Sequence, residues 1–354
     1  MIDLELFREI LSIDSTSGNE AEMAAFLYNR LEAPEMELIP SEGAGPELDK
    51  TFLTFFGKKS FSPRRPVGPV FSNVFLKWGV PKVVFCTHMD TVPPYIPPTF
   101  EEDRVKGRGS CDAKGQLIAL YTACKRLEAE GQTGFGLLIL TGEETGSWGA
   151  KAFSKWAKES GFSAPYLIVG EPTENKMVSA SKGTKSYDLT FHGKAFHSGY
   201  PEYGVSAVDL FLDFMKSLRA MDWGKDPSLG KTTWNVGLLR SDNPQNILSP
   251  ELTCRLYFRT TFVSDSLVDA WIQGTPTMDV VRRGGDIPAR YFTVDGVDNA
   301  PAAFGTDAPH LTCFARKSIF GPGTVKVAHR PDEFILLSDL EAAIDKYVKI
   351  FKSL

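Results

Sequence analysis

Cysteine is scarce in this chain. The 354 residues include five: Cys86, Cys111, Cys124, Cys254 and Cys313. Their number is odd and no two of them form a CxxC pair, which argues against the disulfide framework of a small secreted domain. All five are therefore expected to be buried free thiols, and a reducing cytoplasm is the compartment that fits this usage best.

Long apolar runs and an excess of positive charge are also missing. No stretch approaches the roughly 20 apolar residues of a membrane-spanning helix. The N-terminal MIDLELFREILSI has neither the basic start nor the small-residue cleavage site of a signal peptide. The formal net charge is -5, which gives no support to a nucleic-acid or anionic-membrane partner.

The composition present is that of a globular protein, with 42% apolar and 23% charged residues. Strand-like and helix-like segments alternate in the first half. Strands are predicted at FSNVFLKWG, KVVFCTH, FGLLILTG and APYLIVGEPT, and helices at residues 3–12, 19–32, 112–130 and 147–159. Ser17 followed by Glu20 is a capping pattern that predicts the start of the second helix. This order indicates a mainly parallel sheet with helices on both faces. Residues 41–70 are predicted to form a long surface loop.

The pattern changes after Glu171. The segments MVSASKGTKSYDLTFHG, TTWNVGLLR and LTCRLYFRTTF indicate strands with one exposed face, and VSAVDLFLDFMKSLRAM and SLVDAWIQ indicate helices. Near the end, DAPHLTCFA and LSDLEAAIDKYVKIFKSL are predicted helices. We therefore predict a discontinuous α/β domain over 1–175 and 290–354, interrupted by a smaller α+β domain over 176–289.

Acids and histidines stand where the buried strands end. His88 and Asp90 follow VVFC, Glu143 and Glu144 follow LLIL, and Glu171 follows LIVG. Because the carboxyl ends of parallel strands meet at one edge of a sheet, these side chains are expected to converge.

Asp112, after a glycine-rich turn, and His329, ahead of the last helix, are expected at the same edge. Each alone has a structural explanation, such as an acid at a helix N-terminus for Asp112. Together, two histidines and several carboxylates are typical ligands of a divalent metal ion, with zinc as the first expectation. The adjacent charges of Glu143 and Glu144 are also unfavourable unless cations compensate them.

We predict a two-metal site with one shared carboxylate and two further ligands on each ion: Asp112 as the bridge, His88 and Glu171 on one ion, and Glu144 and His329 on the other. Two ions ~3.5–4 Å apart lower the pKa of a bridging water to roughly 7, which generates a hydroxide. Glu143 remains free to act as general base and then general acid.

Asp90 lies two residues after His88 on an extended segment, so it can accept the second ring N–H of that histidine. Cys86 and Cys111 lie beside the predicted ligands but are expected to pack in the core rather than bind metal.

This arrangement resembles the M20 metallopeptidase family, which includes acetylornithine deacetylase, succinyl-diaminopimelate desuccinylase and glutamate carboxypeptidases. The resemblance rests on motifs that follow the family order along nearly the whole chain: HMDTVPP, GRGSCDAKG, TGEETGS, VGEPT, AFHSGYPEYGVSAV, FGTDA and GPGTVKVAHRPDEFI. It implies the same metal-ligand and proton-transfer roles for the residues of the predicted two-metal site. It also implies that the inserted domain is a lid that mediates homodimer formation.

The resemblance implies further site residues. His197, in AFHSG, matches a histidine that stabilises the oxyanion, commonly in the partner subunit's site. Asn246 and Arg259 match positions that contact the substrate carboxylate, a task that suits the bidentate guanidinium. The loop GTDA at 305–308 resembles a family loop near the site.

We therefore expect a zinc-dependent amide hydrolase, with cobalt as another metal that could serve. Its expected reaction removes a small acyl group from an N-acyl-L-amino acid. VGEPT resembles the branch that contains acetylornithine deacetylase, which makes deacetylation the first expectation. The alternatives are a carboxypeptidase or dipeptidase acting on short peptides, or a succinyl-diaminopimelate desuccinylase. A binding protein without catalysis would not need an acid at Glu143.

Overall fold

The computed structural model describes residues 2–41, 71–275 and 278–354. The loop predicted at 41–70 lies, apart from Ser41, outside the described residues. The chain divides into two compact units. The first unit comprises Met1–Ser179, Tyr291–Ala300 and Thr306–Leu354, and the second comprises Ala180–Arg290 and Pro301–Gly305.

The described residues form seven α-helices: α1 (Leu4–Ser12), α2 (Ala21–Arg30), α3 (Lys114–Ala129), α4 (Trp148–Ser160), α5 (Ala207–Ala220), α6 (Asp265–Gln273) and α7 (Leu337–Lys352). Short 3-10 turns occur at Pro201–Tyr203 and Ala308–His310. None of the helices in this part of the chain is long and apolar enough to cross a membrane.

The strands of the described residues are, in chain order, β1 (Glu35–Pro40), β2 (Ser72–Trp78), β3 (Val83–His88), β4 (Thr99–Phe100), β5 (Arg104–Lys106), β6 (Phe135–Leu140), β7 (Ala164–Val169), β8 (Met177–Ser181), β9 (Gly183–His192), β10 (Lys225–Asp226), β11 (Gly230–Lys231), β12 (Thr233–Arg240), β13 (Glu251–Thr260), β14 (Asp279–Gly284), β15 (Ala289–Arg290), β16 (Asn299–Ala302), β17 (Phe314–Ile319) and β18 (Phe334–Leu336). Three small sheets have the orders β10-β11, β15-β8-β16 and β18-β5-β4.

A six-stranded sheet forms the centre of the first unit, in the order β1-β2-β6-β3-β7-β17. The pairs β6/β3, β3/β7 and β7/β17 are parallel, whereas β1/β2 and β2/β6 are antiparallel. Every residue of β3 and β6 is buried, as expected for strands that are covered on both faces. The sequence correctly predicted the α/β class, and the sheet itself is mixed, with an antiparallel edge.

Side-chain alternation along β2 shows that helices cover both faces of this sheet. Val74 and Leu76 belong to a core that also contains residues of α1, α2, α3 and α7. Phe75 points to the opposite face, where its ring meets the edge of Phe153 in α4 at a centroid distance of 5.4 Å. The sheet is thereby held between two apolar layers.

The second unit has one four-stranded sheet of order β12-β13-β9-β14, in which all neighbours are antiparallel. Every second residue of β13 is buried, including Leu256 and Phe258. These side chains pack in one core with Phe214 of α5 and with Val268 and Ile272 of α6. One face of the sheet is therefore covered by helices, the pattern of an α+β layer.

The helix predicted at DAPHLTCFA is wrong. Only Ala308–His310 forms a 3-10 turn, and β17 begins at Phe314. The strand pairs in parallel with β7 from Phe314 opposite Ala164 to Ile319 opposite Val169. Sheet hydrogen bonds and burial at the sheet edge outweigh the weak helical preference of the segment.

Phe153→Ala is expected to lower the free energy of unfolding by about 3–5 kcal/mol, because it leaves a cavity in the layer between α4 and the sheet. Lys158→Ala, at an exposed position of the same helix, should change it by less than about 0.5 kcal/mol. Urea denaturation followed by circular dichroism measures both values. Similar losses in the two variants would contradict this view of the α4 face.

Candidate metal centre

Three neighbouring parallel strands deliver acids and a histidine to one edge of the sheet. His88 is the last residue of β3, the acid pair Glu143–Glu144 follows β6, and Glu171 follows β7. The strands β6, β3 and β7 are adjacent in the sheet. All residues of β3 and β6 and the last three residues of β7 are buried, so packing fixes the position at which each strand ends.

Asp112 lies between the two histidines. Its Oδ1 is 3.2 Å from Nε2 of His88, and its Oδ2 is 3.3 Å from Nε2 of His329. The same ring nitrogen of His329 is 2.9 Å from Oε1 of Glu144. One carboxylate thus faces a histidine with each of its oxygens, the arrangement needed for a ligand shared by two ions.

The six predicted metal and proton-transfer residues come together in three overlapping groups. In each group the possible ligand atoms lie within 4.8 Å of one another. The groups are His88 with Asp112 and Glu171, Asp112 with Glu144 and His329, and His88 with Glu143 and Glu144. The first two groups share Asp112, and no cysteine belongs to any of the groups found among the described residues.

The electrostatics of the cluster favour cations. Burial raises the pKa of Glu171 well above its usual range, and the charge of Asp112 adds to the rise. Burial also raises the pKa of Glu143, where the neighbouring charge of His88 opposes the shift and Asp307 adds to it. Oε1 of Glu171 is buried without a hydrogen-bond partner among the described residues. A divalent cation would stabilise the charged carboxylates and bind this oxygen, so the residues present fit a metal ion.

The same acids raise the pKa values of both histidines. Hydrogen bonds to Asp112 and Glu144 raise the pKa of His329 to about 10. For His88, burial alone lowers the pKa, but hydrogen bonds to Asp112 and Asp90 raise it well above the usual range. Both shifts have the same cause, the acids that contact the two imidazoles.

Asp90 contacts both His88 and the loop that carries Glu143 and Glu144, called the acid-pair loop below. Its Oδ1 accepts the backbone N–H of Glu143 at 3.1 Å, and its Oδ2 accepts that of Glu144 at 3.2 Å. Nδ1 of His88 is 3.4 Å from Oδ1 of Asp90 but only 2.9 Å from the backbone carbonyl of the same residue. The ring is therefore oriented mainly by the main chain, while the carboxylate fixes the loop beside it.

Ser17 does not cap the second helix, contrary to the sequence-based prediction. Helix α2 begins at Ala21, and no side chain caps it. The hydroxyl of Ser17 instead donates to Oδ2 of Asp90 at 2.8 Å. Ser17 is 2% exposed, and its hydroxyl donates to a buried carboxylate, a stronger partner than the backbone at the start of a helix.

Arg108 and Glu333 are a buried pair that sequence reasoning missed. Nη1 of Arg108 donates to Oε2 of Glu333 at 2.6 Å. Oε1 of Glu333 accepts the backbone N–H groups of Cys111 and Asp112 at 3.0 and 3.1 Å. This pair joins the loop of Asp112 to the loop of His329, four residues before Glu333. The only sequence feature that pointed to this pair was Glu333 itself, the second acid, after Asp332, in the motif around His329.

Asp307 is a further buried acid near the cluster. Burial raises its pKa to about 6, an effect opposed by the nearby charge of His88. It lies in the GTDA loop at 305–308, whose role the sequence left open.

All five cysteines are free thiols; Cys313 is partly exposed and the other four are buried.

The second unit holds the three residues assigned by resemblance, at two separate places. His197 and Ile247 form an isolated β-bridge, and the N–H of Ser198 donates to the carbonyl of Asn246 at 2.9 Å, so His197 and Asn246 lie in neighbouring loops. Arg259 lies at the far end of the β9/β13 ladder, opposite Thr184. The structure brings the first two together and keeps Arg259 apart from them within this unit.

Comparisons with known proteins agree with the motifs. The family model for peptidase family M20/M25/M40 matches residues 84–353. A peptidase M20 domain-containing protein of Schizosaccharomyces pombe is 32% identical over 360 residues, which cover 98% of this chain and 83% of the relative. A protein of Aspergillus oryzae named probable carboxypeptidase is 29% identical, with 99% of this chain and 87% of the relative covered.

Two solved structures share the α/β fold. A tripeptidase from Staphylococcus aureus superposes with a TM-score of 0.75 at 18% identity, covering 99% of this chain and 98% of the other. An M20 family metallo-carboxypeptidase from Sulfolobus solfataricus superposes with a TM-score of 0.72 at 17% identity, covering 100% and 99%. Because the family model spans most of the chain and a relative is 32% identical along nearly all of it, the chain belongs to peptidase family M20/M25/M40 and is a metal-dependent hydrolase of amide bonds.

Proposed function

We propose that the chain is a two-metal peptidase that releases an amino acid from the free carboxyl terminus of short peptides. The observation that carries this proposal is the position of Asp112 between His88 and His329, with further acids around it. The carboxypeptidase name of the Aspergillus oryzae relative supports the choice of peptides as substrates.

The proposed ligands are those that lie in the two groups sharing Asp112: His88 and Glu171 for one ion, and Glu144 and His329 for the other. Nitrogen and oxygen donors of this kind suit zinc, and cobalt would also be accepted. When bound, such ions act as Lewis acids toward the scissile carbonyl and make water at the site more acidic.

Glu143 is proposed to move the proton. Its carboxylate accepts a proton from the attacking water as the water oxygen forms a bond to the carbonyl carbon. It then gives that proton to the amide nitrogen as the carbon–nitrogen bond breaks, which yields a carboxylic acid and an amine, and the acid loses its proton to solvent. The N–H of Glu143, held by Asp90, fixes the residue from which this side chain extends.

Arg259 is proposed to bind the substrate carboxylate. It is partly buried on β13, and its guanidinium lies 5.0 Å from the centre of the Tyr257 ring. Stacking of this kind pre-orients the planar group for bidentate pairing with a carboxylate.

A homodimer is proposed because His197 and Asn246 lie far from Arg259 in the same subunit. The β9/β13 ladder runs from Thr184 opposite Arg259 to His192 opposite Glu251. These ends are about 27 Å apart at roughly 3.4 Å per residue. Arg259 and the His197 loop, which follows His192, could then meet one substrate only if they come from different subunits. The lid role of this unit stays a prediction.

Acetylornithine-type deacetylation, the first expectation from the sequence, has no support from the Schizosaccharomyces pombe and Aspergillus oryzae relatives, whose names are those of peptidases. An N-acyl amino acid does offer the same amide and carboxylate, as does the desuccinylase substrate. These reactions therefore belong in the test of the proposal.

The zinc-loaded enzyme is expected to release amino acids from dipeptides and tripeptides faster than it releases acetate or succinate from acetylornithine and succinyl-diaminopimelate. Product analysis by mass spectrometry measures each rate, and faster acyl release would contradict the peptidase proposal.

Arg259→Lys should raise KM for peptide acids by roughly 10-fold or more, because one bidentate charged contact is lost. KM for the matching C-terminal amides should hardly change.

Glu143→Gln is expected to reduce kcat by about 10²–10⁴-fold, because the amide cannot accept the water proton. Metal content, measured by plasma mass spectrometry, should remain that of the unmodified enzyme. Glu102→Gln, at an exposed position, is the matched control and should keep full activity. Turnover that survives in Glu143→Gln would rule out the proposed proton transfer.

Mixing two inactive variants tests the dimer. Glu143→Gln and His197→Ala are each expected to be nearly inactive when purified alone. In a co-expressed mixture half of the dimers are hybrids with one intact site in two, so about a quarter of the normal activity should return. No recovery, in hybrids verified by two affinity tags, would place His197 in the site of its own subunit.

A further inference from the structure

The motifs GRGSCDAKG and HRPDEFI each contain a buried charged residue that the proposed metal centre does not use, Arg108 and Glu333. The side chain of Arg108 is 2% exposed and that of Glu333 is fully buried. Nη1 of Arg108 donates to Oε2 of Glu333 at 2.6 Å. Because removing two charges from water can cost more free energy than their attraction returns, a buried ion pair is weak evidence of a stabilising role. The other contacts of the pair show what it does.

Glu333 holds the loop of Asp112 through backbone amides. Its Oε1 accepts the N–H of Cys111 at 3.0 Å and that of Asp112 at 3.1 Å. Its backbone carbonyl accepts the N–H of Gly107 at 3.1 Å. The main chain on both sides of Arg108 is thus attached to Glu333, and these bonds fix the residue from which the Asp112 carboxylate extends.

Arg108 reaches the loop of His329. Its Nη1 also donates to the backbone carbonyl of Arg330, the residue after His329, at 3.3 Å. The N–H of Glu333 donates to the same carbonyl at 3.3 Å. Both members of the pair therefore bind one carbonyl oxygen directly beside the histidine.

The backbone of His329 depends on such support. Its φ of 65° lies in the left-handed region, which residues other than glycine occupy at an energetic cost and keep only where the surrounding structure enforces it. The side chain is 51% exposed, so packing around the ring does little to direct it. The path of the main chain therefore sets the position of Nε2, which faces Asp112 at 3.3 Å.

The ligands proposed for the other ion are placed by the sheet. His88 ends β3, and Glu171 lies two residues after the end of β7. The strands β3 and β7 pair directly, and both side chains are buried. Sheet pairing and burial fix these two ligands.

We infer that Arg108 and Glu333 are positioning residues that hold His329 opposite Asp112 and so set the affinity of the ion proposed between these two residues and Glu144 of the acid-pair loop. The inference rests on the proposed two-metal function. The other proposed ion depends on the pair only through Asp112, so its affinity should change less.

A purely stabilising role would give a different result. If the pair only stabilised the fold, its loss would lower the melting temperature, and the molecules that remain folded would bind both ions as before. A positioning role predicts an unequal loss of the two ions from folded protein.

The test compares Glu333→Gln with Asp332→Asn. Asp332 is the matched control, because it is the neighbouring acid and its ion pair with Arg330 is exposed. In Glu333→Gln the amide oxygen can still accept the N–H groups of the Asp112 loop, but the NH₂ group faces the guanidinium, donor against donor. The bond to Arg108 is therefore lost selectively.

Graded concentrations of a chelator withdraw zinc from the loaded proteins, and plasma mass spectrometry measures the zinc that each chain retains. We expect two ions per chain in the unmodified protein and in Asp332→Asn. In Glu333→Gln one ion should bind roughly 10- to 100-fold more weakly and the other within about threefold of normal. Circular dichroism confirms that each variant is folded.

His329→Ala identifies the affected ion, because it removes a proposed ligand of that ion alone. When Glu333→Gln is added to His329→Ala, the affinity of the remaining ion should change by less than about threefold, since the two substitutions act on the same ion. Arg108→Lys keeps the charge without the planar fork. It should weaken the same ion by roughly 10-fold, and it provides the answer if Glu333→Gln does not fold.

Unchanged affinities, or equal weakening of both ions, in folded Glu333→Gln protein would overturn the inference and leave the peptidase proposal intact. If the unmodified protein binds two ions but cleaves no peptide, the peptidase proposal fails, and the zinc affinities still decide the role of the pair. An unmodified protein that binds fewer than two ions would overturn both.

Discussion

The burial of carboxylates around Asp112 is the constraint on which the rest of this structure depends. Four acids and two histidines meet where β3, β6 and β7 end, and burial raises the pKa values of Glu143, Glu144 and Glu171. Buried acids of one sign destabilise a fold unless positive charge compensates them. Burial of the apolar strands beneath the site offsets this free-energy cost. Divalent cations bound to the carboxylates would lower it.

The loops that carry these acids are held by a device that the chain uses repeatedly. A buried carboxyl group accepts backbone amides directly beside a proposed ligand. Asp90 binds the amides of Glu143 and Glu144, and Glu333 binds those of Cys111 and Asp112. Each of these bonds joins a loop amide to a buried carboxyl oxygen at 3.0–3.2 Å, so the loops keep their path even where they are rich in glycine.

Much of this site could be predicted from the sequence, because its residues follow apolar strands whose ends converge in any parallel α/β sheet. The supporting residues could not be predicted in the same way. Ser17 and Glu20 form a local capping pattern, and only the folded chain shows that the hydroxyl of Ser17 donates to Asp90 instead. Arg108 and Glu333 are separated by 225 positions, and nothing local links them. The helix predicted at 307–315 is wrong because pairing with β7, a long-range contact, decides the conformation of this segment.

Crystals of the protein grown with zinc, with anomalous scattering recorded on both sides of the zinc absorption edge, test the paired-cation centre most directly. Two peaks should appear on either side of the Asp112 carboxylate, one near His88 and Glu171 and the other near Glu144 and His329. A crystal grown in saturating zinc that shows no peak at Asp112, or that binds ions only elsewhere, would contradict the proposal that the buried acids hold a pair of cations.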